Sequence, residues 1–401
     1  MSKPSLLVVS PLPPAWSGIA NYTDQMLGSL ARDWKITVMI GDGEEQPRDI
    51  AGEVSIIHRS SERWLFAVEP PQRILHHIGN SAYHLHVPDL VARHGGVVLA
   101  HDVRMNALQC FRAFRSNSQN ALSTMVERRH GSRLADEFRS WEARGGVTKH
   151  FHEVRSRLDE INAYLLGAAV EGADAIAVHS EFARRIALTE LPGSTAVSVV
   201  PFGHRPTRPR QHGRIGQAST VSTFGFVAPE KNALLLIEAF ATAVNAQPGL
   251  QLRFVGHVDP AFHRHLLDRA AQFGVSQAVH FTGRVTDTEY LHELEIADVA
   301  VQLRALANGE ASAAIADCLS ASAPTLVTDF GAQGALPNDA VWKVPFGIDP
   351  QGLANEMLLV LGDSAVREQL SARARSYADA NSFDNAASAL TTLLLASPAT
   401  R

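Results

Sequence analysis

Short apolar or β-branched runs alternate with helical stretches along the whole chain, the pattern of a parallel sheet covered by helices on both faces. In the first half the strand candidates are "SLLVVS" (5–10), "KITVMI" (35–40), "ILHHIG" (74–79), "GVVLAHD" (96–102), "AIAVHS" (175–180) and "VSVVPFG" (197–203). In the second they are "TVSTFGFV" (220–227), "LQLRFVG" (250–256), "AVHFTG" (278–283), "ADVAVQL" (297–303), "APTLVTD" (323–329) and "AVWKVP" (340–345). Between the two sets lies "GHRPTRPRQHGRIGQAST" (203–220), rich in Pro, Gly and Arg and without hydrophobic periodicity. The pattern predicts one α/β architecture repeated: residues 1–202, a linker at 203–220, a second domain at 221–378, and a C-terminal helix at 379–401 that packs back toward the first domain. Two such sheets place the C-terminal ends of their strands around a central cleft, the default ligand position.

Composition narrows this picture without redirecting it. A chain of 401 residues with 45% apolar content has ample material for two cores. No stretch approaches the roughly 18 uninterrupted apolar residues of a membrane helix. "SLLVVS" is too short, and too quickly followed by Pro, for a secretory leader, and reads as a first buried strand. The two cysteines, Cys110 and Cys318, make neither a disulfide framework nor a zinc cage, so a reducing cytoplasm is the expected home.

Charge adds one feature. Residues 1–205 carry 22 Lys+Arg against 22 Asp+Glu, and the remainder 14 against 19, which is the whole net charge of −5. Within 104–157 the count is 11 basic to 5 acidic. Arg112, Arg115, Arg128, Arg129 and Arg133 recur there at spacings that suit one helical side, near Phe111, Phe114 and Leu134. The segment is either a solvated helical face or a cationic surface for an anionic acceptor or the inner membrane leaflet. No nucleic-acid reading motif accompanies the charge, so nucleic acid is not an expected partner.

Three loops carry candidate chemistry. In "SPLPPAWSGIANYTDQML" (10–27), Gly18 opens an amphipathic helix whose free N–H groups suit an anionic or hydroxylated ligand. In "STFGFVAPEKNALLLIEAF" (222–240), Lys231 sits at a loop–helix junction, where an ammonium suits a diphosphate or is simply exposed. In the third, Arg304 follows a strand and "NGEASAAIADCLSASAP" (308–324) begins a helix with small residues. Glu310 falls at or just before its first turn, as an N-cap or as an acceptor of ligand hydroxyls. Asp317 lies seven residues on, about 10 Å along a helix axis. Two acceptors so spaced suit the pyranose and ribose of one nucleotide sugar.

The order of these motifs over nearly the whole chain resembles the family 4 glycosyltransferases, retaining nucleotide-sugar enzymes of the two-Rossmann-domain (GT-B) fold. The resemblance rests on "PPAWSGIANY", "LHHIGNSAYHLHV", "GVVLAHD", "ADAIAVHSEFAR", "FGFVAPEKNALLLIEAF", "GEASAAIADCLSASAPTLVTDFG" and "VWKVP". It implies catalytic roles for Glu310, Lys231 and His101: Glu310 on donor-sugar hydroxyls, Lys231 on the diphosphate, His101 facing the reacting centre. It further implies donor contacts by Gly18, Arg304, Gly309, Ala311, Ser312 and Asp317, and acceptor contacts by Asp102 and Tyr22. Two departures stand out. Six residues rather than seven separate the two acids, the second being Asp317 instead of Glu, and Phe226 replaces the Arg that commonly accompanies the Lys. Arg304, at the neighbouring strand's mouth, supplies the missing charge by position.

The implied reaction moves a hexose, from GDP-mannose or a UDP-hexose, to a glycan or lipid-linked acceptor in bacterial surface polysaccharide synthesis. No further cofactor is expected. Cationic side chains meet the charge of the leaving diphosphate, and no carboxylate pair has metal-ligand spacing. The histidines of "HHIGN" (76–80) and "HLHVP" (84–88) read as structural or cleft-lining rather than as metal ligands. The expected location is cytoplasmic, with peripheral contact at the inner membrane face. Two rivals share the architecture: a nucleotide-sugar 2-epimerase and a non-catalytic glycosyltransferase-like subunit.

Overall fold

The computed structural model describes residues 3–47, 54–116, 121–144, 151–208, 219–307 and 309–400. Of the expected linker, 209–218 lie outside the described residues, as do 117–120 and 145–150 of the basic segment. The described residues form two compact units. Those up to 201, with 309–311 and 383–400, make the first; those of 202–307 and 312–382 make the second.

The first unit is built on β1 (Ser5–Val9), β2 (Lys35–Ile40), β3 (Val54–His58), β4 (Arg73–Ile78), β5 (Val97–Ala100), β6 (Ala175–Val178) and β7 (Ala196–Val199). All pair in parallel, in the order β3-β2-β1-β4-β5-β6-β7. The second is built on β8 (Thr220–Phe224), β9 (Gln251–Val255), β10 (Val279–Gly283), β11 (Val299–Gln302), β12 (Thr325–Thr328) and β13 (Trp342–Val344), also parallel, in the order β10-β9-β8-β11-β12-β13. Twelve of the thirteen strands coincide with the apolar runs; the central ones are buried on both faces, which calls for apolar residues throughout, and the edge strands β7, β10 and β13 are only partly buried. The exception is β3. It pairs only with β2, no residue of it is fully buried, and "VSIIH" lacks the continuous apolar signature.

In each unit the order runs outward from the first strand, then reverses. The reversal falls between β1 and β4 in the first sheet and between β8 and β11 in the second. At such a point adjacent crossovers leave on opposite faces, which opens a crevice beyond the carboxyl ends of the strands. The cores follow from the same layering. Leu7, Val9, Ile74 and Val98 of the first sheet pack against Val87, Leu90 and Val91 of the helix Val87–His94. Leu252, Phe254, Val299 and Val301 pack against Leu236, Ile237 and Phe240 of the helix Ala233–Ala246.

The last helix, Phe383–Ala396, lies against the first-unit helix Gly18–Leu30. Ser29 donates to Asp384 Oδ1 at 2.6 Å, the Trp34 indole donates to Thr391 Oγ1 at 3.0 Å, and Arg73 Nε donates to the Leu394 carbonyl at 2.8 Å. The preceding helix, Ser364–Ala380, belongs to the second unit. The basic segment forms the helices Asn106–Ser116, Ala121–His130, Ser132–Ala143 and Phe151–Glu160 around Leu122, Val126, Phe138, Val154 and Leu158. Among the described residues, no helix is long and apolar enough to cross a membrane. Cys110 and Cys318 are both buried thiols.

Candidate active site

The second unit gathers its candidate residues at the β8/β11 reversal. Gly225 follows β8 with a φ of +87°, a conformation that costs an L side chain strain. A Cβ there would also sit 3.1 Å from Lys231 Nζ and 3.5 Å from Ala314 Cβ. The bare glycine therefore admits the Lys231 ammonium on one side and the Ala314 turn on the other. Lys231 closes the short 3-10 turn Pro229–Lys231, and Asn232, in the left-handed region, leads into the helix Ala233–Ala246. The Lys231 ammonium lies 3.5 Å from the Phe224 carbonyl oxygen.

Arg304 leaves the end of β11 and is only 7% exposed. Its backbone N–H donates to Thr328 Oγ1 at 3.0 Å, and its guanidinium donates to the Leu303 carbonyl and to Ser312 Oγ at 3.1 Å. The next residue, Ala305, donates its N–H to the Glu230 carbonyl at 2.8 Å. That bond ties the mouth of β11 to the turn that carries Lys231. Phe226, where the family pattern has Arg, is 54% exposed and lies beside the His257 ring at 5.6 Å.

The small-residue helix starts later than the sequence suggests. It spans Ala313–Ser320, and its N-cap is Ser312, whose hydroxyl accepts from Ile315 N–H. Glu310 and Ala311 precede the helix and group with the first unit, so Glu310 is not a cap. The two-turn separation between Glu310 and Asp317 therefore does not apply. A hydroxyl displaces the carboxylate as cap because Gly309, at φ +82°, turns the chain before the helix begins. Asp317 is on the helix and already engaged. It pairs with Arg205 at 2.8 Å and accepts from the Tyr290 hydroxyl at 3.1 Å, while Arg205 stacks 5.4 Å over the Tyr290 ring. Burial raises the Asp317 carboxyl above its ordinary range, opposed by the Arg205 charge.

The first unit gathers Gly18, Tyr22, His101 and Asp102 at the β1/β4 reversal. Ser17 caps the helix Gly18–Leu30 by accepting from Ile19 N–H at 3.2 Å, and Gly18 has open space where a Cβ would be. His101 follows β5 and is 6% exposed. Its Nε2 meets His77 Nδ1 at 3.0 Å; the same His77 nitrogen is 3.1 Å from Thr23 Oγ1, which is 2.7 Å from Ser10 Oγ. Tyr22 packs edge-on against His101 at 4.9 Å, and His179 lies 5.1 Å from His101. Burial first, and the neighbouring imidazoles of His179 and His77 second, hold His101 well below its ordinary value. His101 is thus a neutral imidazole at physiological pH, oriented by a buried polar chain.

Asp102 accepts from Asn80 N–H at 2.8 Å, and its carboxyl is raised by burial and then by the negative charge of Glu310. Gly309 presses so close to Val103 that a side chain there would collide, which seats Glu310 in Asp102's field. This neighbouring of two acids 208 positions apart, and the chain from His101 through His77 to Thr23, carry no local sequence signal. His76, the other member of the pair, points away and meets the Gly95 carbonyl at 2.9 Å. Among the described residues, no group of three or more His, Cys, Asp or Glu is arranged to hold a metal ion.

Residues 205–377 match the family model described as glycosyl transferases group 1. The solved structure of WaaG, a glycosyltransferase involved in lipopolysaccharide biosynthesis, superposes with a TM-score of 0.63 at 14% identity, covering 97% of this chain and 99% of its own. Sucrose-phosphate synthase from Thermosynechococcus elongatus superposes at 0.68 and 16% identity, with 98% of each chain covered. A UDP-forming α,α-trehalose-phosphate synthase from Burkholderia xenovorans, in complex with glucose-6-phosphate, superposes at 0.66 and 11%, covering 98% of this chain and 100% of its own. No curated protein sequence matches the chain. Residues 205–377 are thus similar to the glycosyl transferases group 1 family, and the chain as a whole shares its fold with WaaG and the two synthases.

Proposed function

We propose that the protein is a retaining glycosyltransferase that moves a hexose from a nucleotide sugar, GDP-mannose or a UDP-hexose, to a glycan or lipid-linked acceptor in bacterial surface polysaccharide synthesis. The observation that carries this reading is the convergence of Lys231, Arg304 and the capped start of the helix Ala313–Ser320 at the β8/β11 reversal, inside the matched family region. Two cations and a helix N-terminus at one crevice suit a diphosphate. The trehalose-phosphate synthase of the same fold, UDP-forming and in complex with glucose-6-phosphate, supports a nucleotide-sugar donor by analogy.

In this mechanism Lys231 and Arg304 stabilise charge on the departing diphosphate as the bond from the anomeric carbon to phosphate oxygen breaks. The acceptor hydroxyl attacks from the same face, and its proton passes to the leaving phosphate oxygen, so configuration is retained. Glu310 accepts from sugar hydroxyls, and neutral His101 faces the reacting centre without adding a charge that would repel an oxocarbenium-like carbon. The guanidinium and ammonium meet the leaving-group charge, so no divalent ion is required. Asp317, held by Arg205 and Tyr290, orients the helix rather than reaching freely for ribose.

Peripheral contact with anionic lipid belongs to the same reading. The basic segment is partly neutralised, since Arg112, Arg128 and Arg129 pair with Asp89, Glu171 and Glu190. Arg115 and Arg133 remain exposed. The deciding experiment incubates the protein with a panel of UDP- and GDP-sugars, with and without EDTA, and follows nucleoside diphosphate release and the anomeric configuration of product by NMR. Metal-independent release with retention is expected. Isomerised donor would make the protein an epimerase, and binding without turnover a non-catalytic subunit.

A further inference from the structure

The Asp102 carboxylate is tied to the helices that follow it by a chain of hydrogen bonds lying wholly within the first unit. Asp102 Oδ2 accepts from the Asn80 N–H at 2.8 Å. The Asn80 side chain is held at both ends, donating to Asn106 Oδ1 at 3.0 Å and accepting from the Leu108 N–H at 2.9 Å. Asn106, only 1% exposed, donates in turn to Asp159 Oδ1 at 2.7 Å. The same Asp159 oxygen accepts from the Arg104 guanidinium at 3.1 Å, and Arg104 lies 4.6 Å over the Tyr164 ring. Asp159 belongs to the helix Phe151–Glu160, so the last helix of the basic segment is linked to the loop that carries His101 and Asp102.

The backbone sets the direction of this chain. The Leu108 and Ala107 N–H groups are donors, so the amide oxygens of Asn80 and Asn106 must face them. Both amide nitrogens then point down the chain, the last of them toward a carboxylate. Buried hydrogen-bonded pairs of this kind add little net stability over apolar side chains of the same shape. What they add is position, since a fully satisfied network admits one arrangement.

The near end of the chain is open. Among residues 97–110 only Asp102 is partly exposed, and the rest are buried. Its Oδ2 takes the Asn80 bond, while among the described residues its Oδ1 makes none. Gly79 makes room for this approach. A Cβ there would stand 3.1 Å from Asp102 Oδ2 and 3.3 Å from His84 Nε2, and would collide with Ile19. The titratable groups around the carboxylate are Glu310, whose charge raises it, and the imidazoles of His84 and His101, kept neutral by burial.

We propose that Asn106 and Asp159 are positioning residues: through Asn80 they hold the Asp102 carboxylate so that Oδ1 accepts from an acceptor hydroxyl beside the one that attacks. Asp102 takes up no proton in this role, and the attacking hydroxyl still gives its own to the leaving phosphate oxygen. A hydrogen bond to a fixed carboxylate sets the approach of the attacking oxygen, where a displacement of about 1 Å costs up to about a hundredfold in rate. The acceptor role rests on the glycosyltransferase reading, while the hold on Asp102 is measurable with no substrate present.

The test has two arms. In the first, isotope-labelled aspartate carboxyl carbons of the full chain are followed by NMR through pH, with Asp102→Asn identifying the Asp102 signal. Burial and Glu310 raise this carboxyl to about 7, and the Asn80 N–H bond lowers it. Asn106→Ala loosens that bond and should move the titration to higher pH. Asn80→Ala, at a half-buried position, cuts the same link and should do likewise, which covers the case of an Asn106→Ala protein that does not fold. Asn106→Asp combined with Asp159→Asn exchanges donor and acceptor between the two positions and should return the titration to its original place. In the second arm, Asn106→Ala should lower kcat for transfer about tenfold while nucleoside diphosphate affinity stays unchanged. The acid limb of the pH profile should follow Asp102 upward, because the ionised carboxylate is the accepting form. The reciprocal pair should recover both. A titration unmoved by the single variants, or not returned by the reciprocal pair, overturns the proposal. So does unchanged kcat in a protein whose Asp102 titration has moved. A moved titration in a protein that turns over no nucleotide sugar would overturn the transferase reading, and the acceptor role with it, while the hold on Asp102 stands.

Discussion

Acidification should unfold the first unit well before ordinary acid denaturation, because its sheet ends are built around buried neutral imidazoles. His76, His86 and His179 are pushed down to about 4, and His77 and His84 to about 3, in every case chiefly by burial. His101 shifts in the same direction. In the unfolded chain these groups take a proton near pH 6.5; folded, they resist it until far lower. The stability they lend is therefore present above pH 6.5 and is lost as pH falls from there toward 4. Each imidazole costs about 1 kcal/mol between pH 6.5 and 5.5. Six together cost about 6 kcal/mol, comparable with the roughly 5–15 kcal/mol that holds a domain folded. Asp102, whose carboxyl moves upward, works in the opposite direction and offsets about one of them. The assay is urea unfolding followed by tryptophan fluorescence at a series of pH values. Trp16, Trp34, Trp64 and Trp141 report the first unit, and Trp342→Phe silences the second. The midpoint should fall steeply below pH 6.5. A midpoint constant from pH 7.5 to 5.5 would refute the reasoning, since it would mean that the imidazoles are hydrated or already charged.

Lys231→Ala should weaken binding of a nucleoside diphosphate about tenfold and binding of the nucleoside little, by calorimetry; equal losses would remove the diphosphate contact. Glu310→Gln should leave the melting temperature in place and cut transfer by about a hundredfold, because a neutral amide replaces a charged acceptor. A variant that keeps most of its turnover would strip Glu310 of its role. Asp317→Asn should destabilise the second unit by about 3 kcal/mol, since it leaves Arg205 without its counter-charge. Unchanged stability with a selective loss of nucleotide affinity would instead make Asp317 the ribose ligand. Anionic vesicles should sediment the protein at low salt and release it at high salt, and Arg133→Glu should weaken that binding; no sedimentation at low salt returns the basic helices to a solvated face.

The apolar runs determined the class of architecture, two parallel α/β sheets. In a parallel sheet covered on both faces the strand positions are buried, so "SLLVV", "AIAV" and "VAVQ" state their role locally, and their alternation with helices marks two parallel α/β units; which strands neighbour which, and so the reversals at β1/β4 and β8/β11, is seen only in the folded sheets. Lys231 and Arg304 were singled out by position, at a loop–helix junction and just past a strand end, and their contacts with a donor remain part of the proposal. Of the edge strands, β7, β10 and β13 were legible and β3 was not, since "VSIIH" is short and interrupted by polar Ser55 and His58. Tertiary structure decided what depends on distant neighbours. Ser312 rather than Glu310 caps the helix because Gly309, pressed against Val103, turns the chain and hands Glu310 to Asp102. Asp317 is engaged because Arg205 and Tyr290 arrive from 112 and 27 residues away. His101 is neutral because His77, Tyr22 and His179 bury it. A residue's type is written in the chain, but its protonation and its partners are set by burial and proximity, which only the folded state supplies.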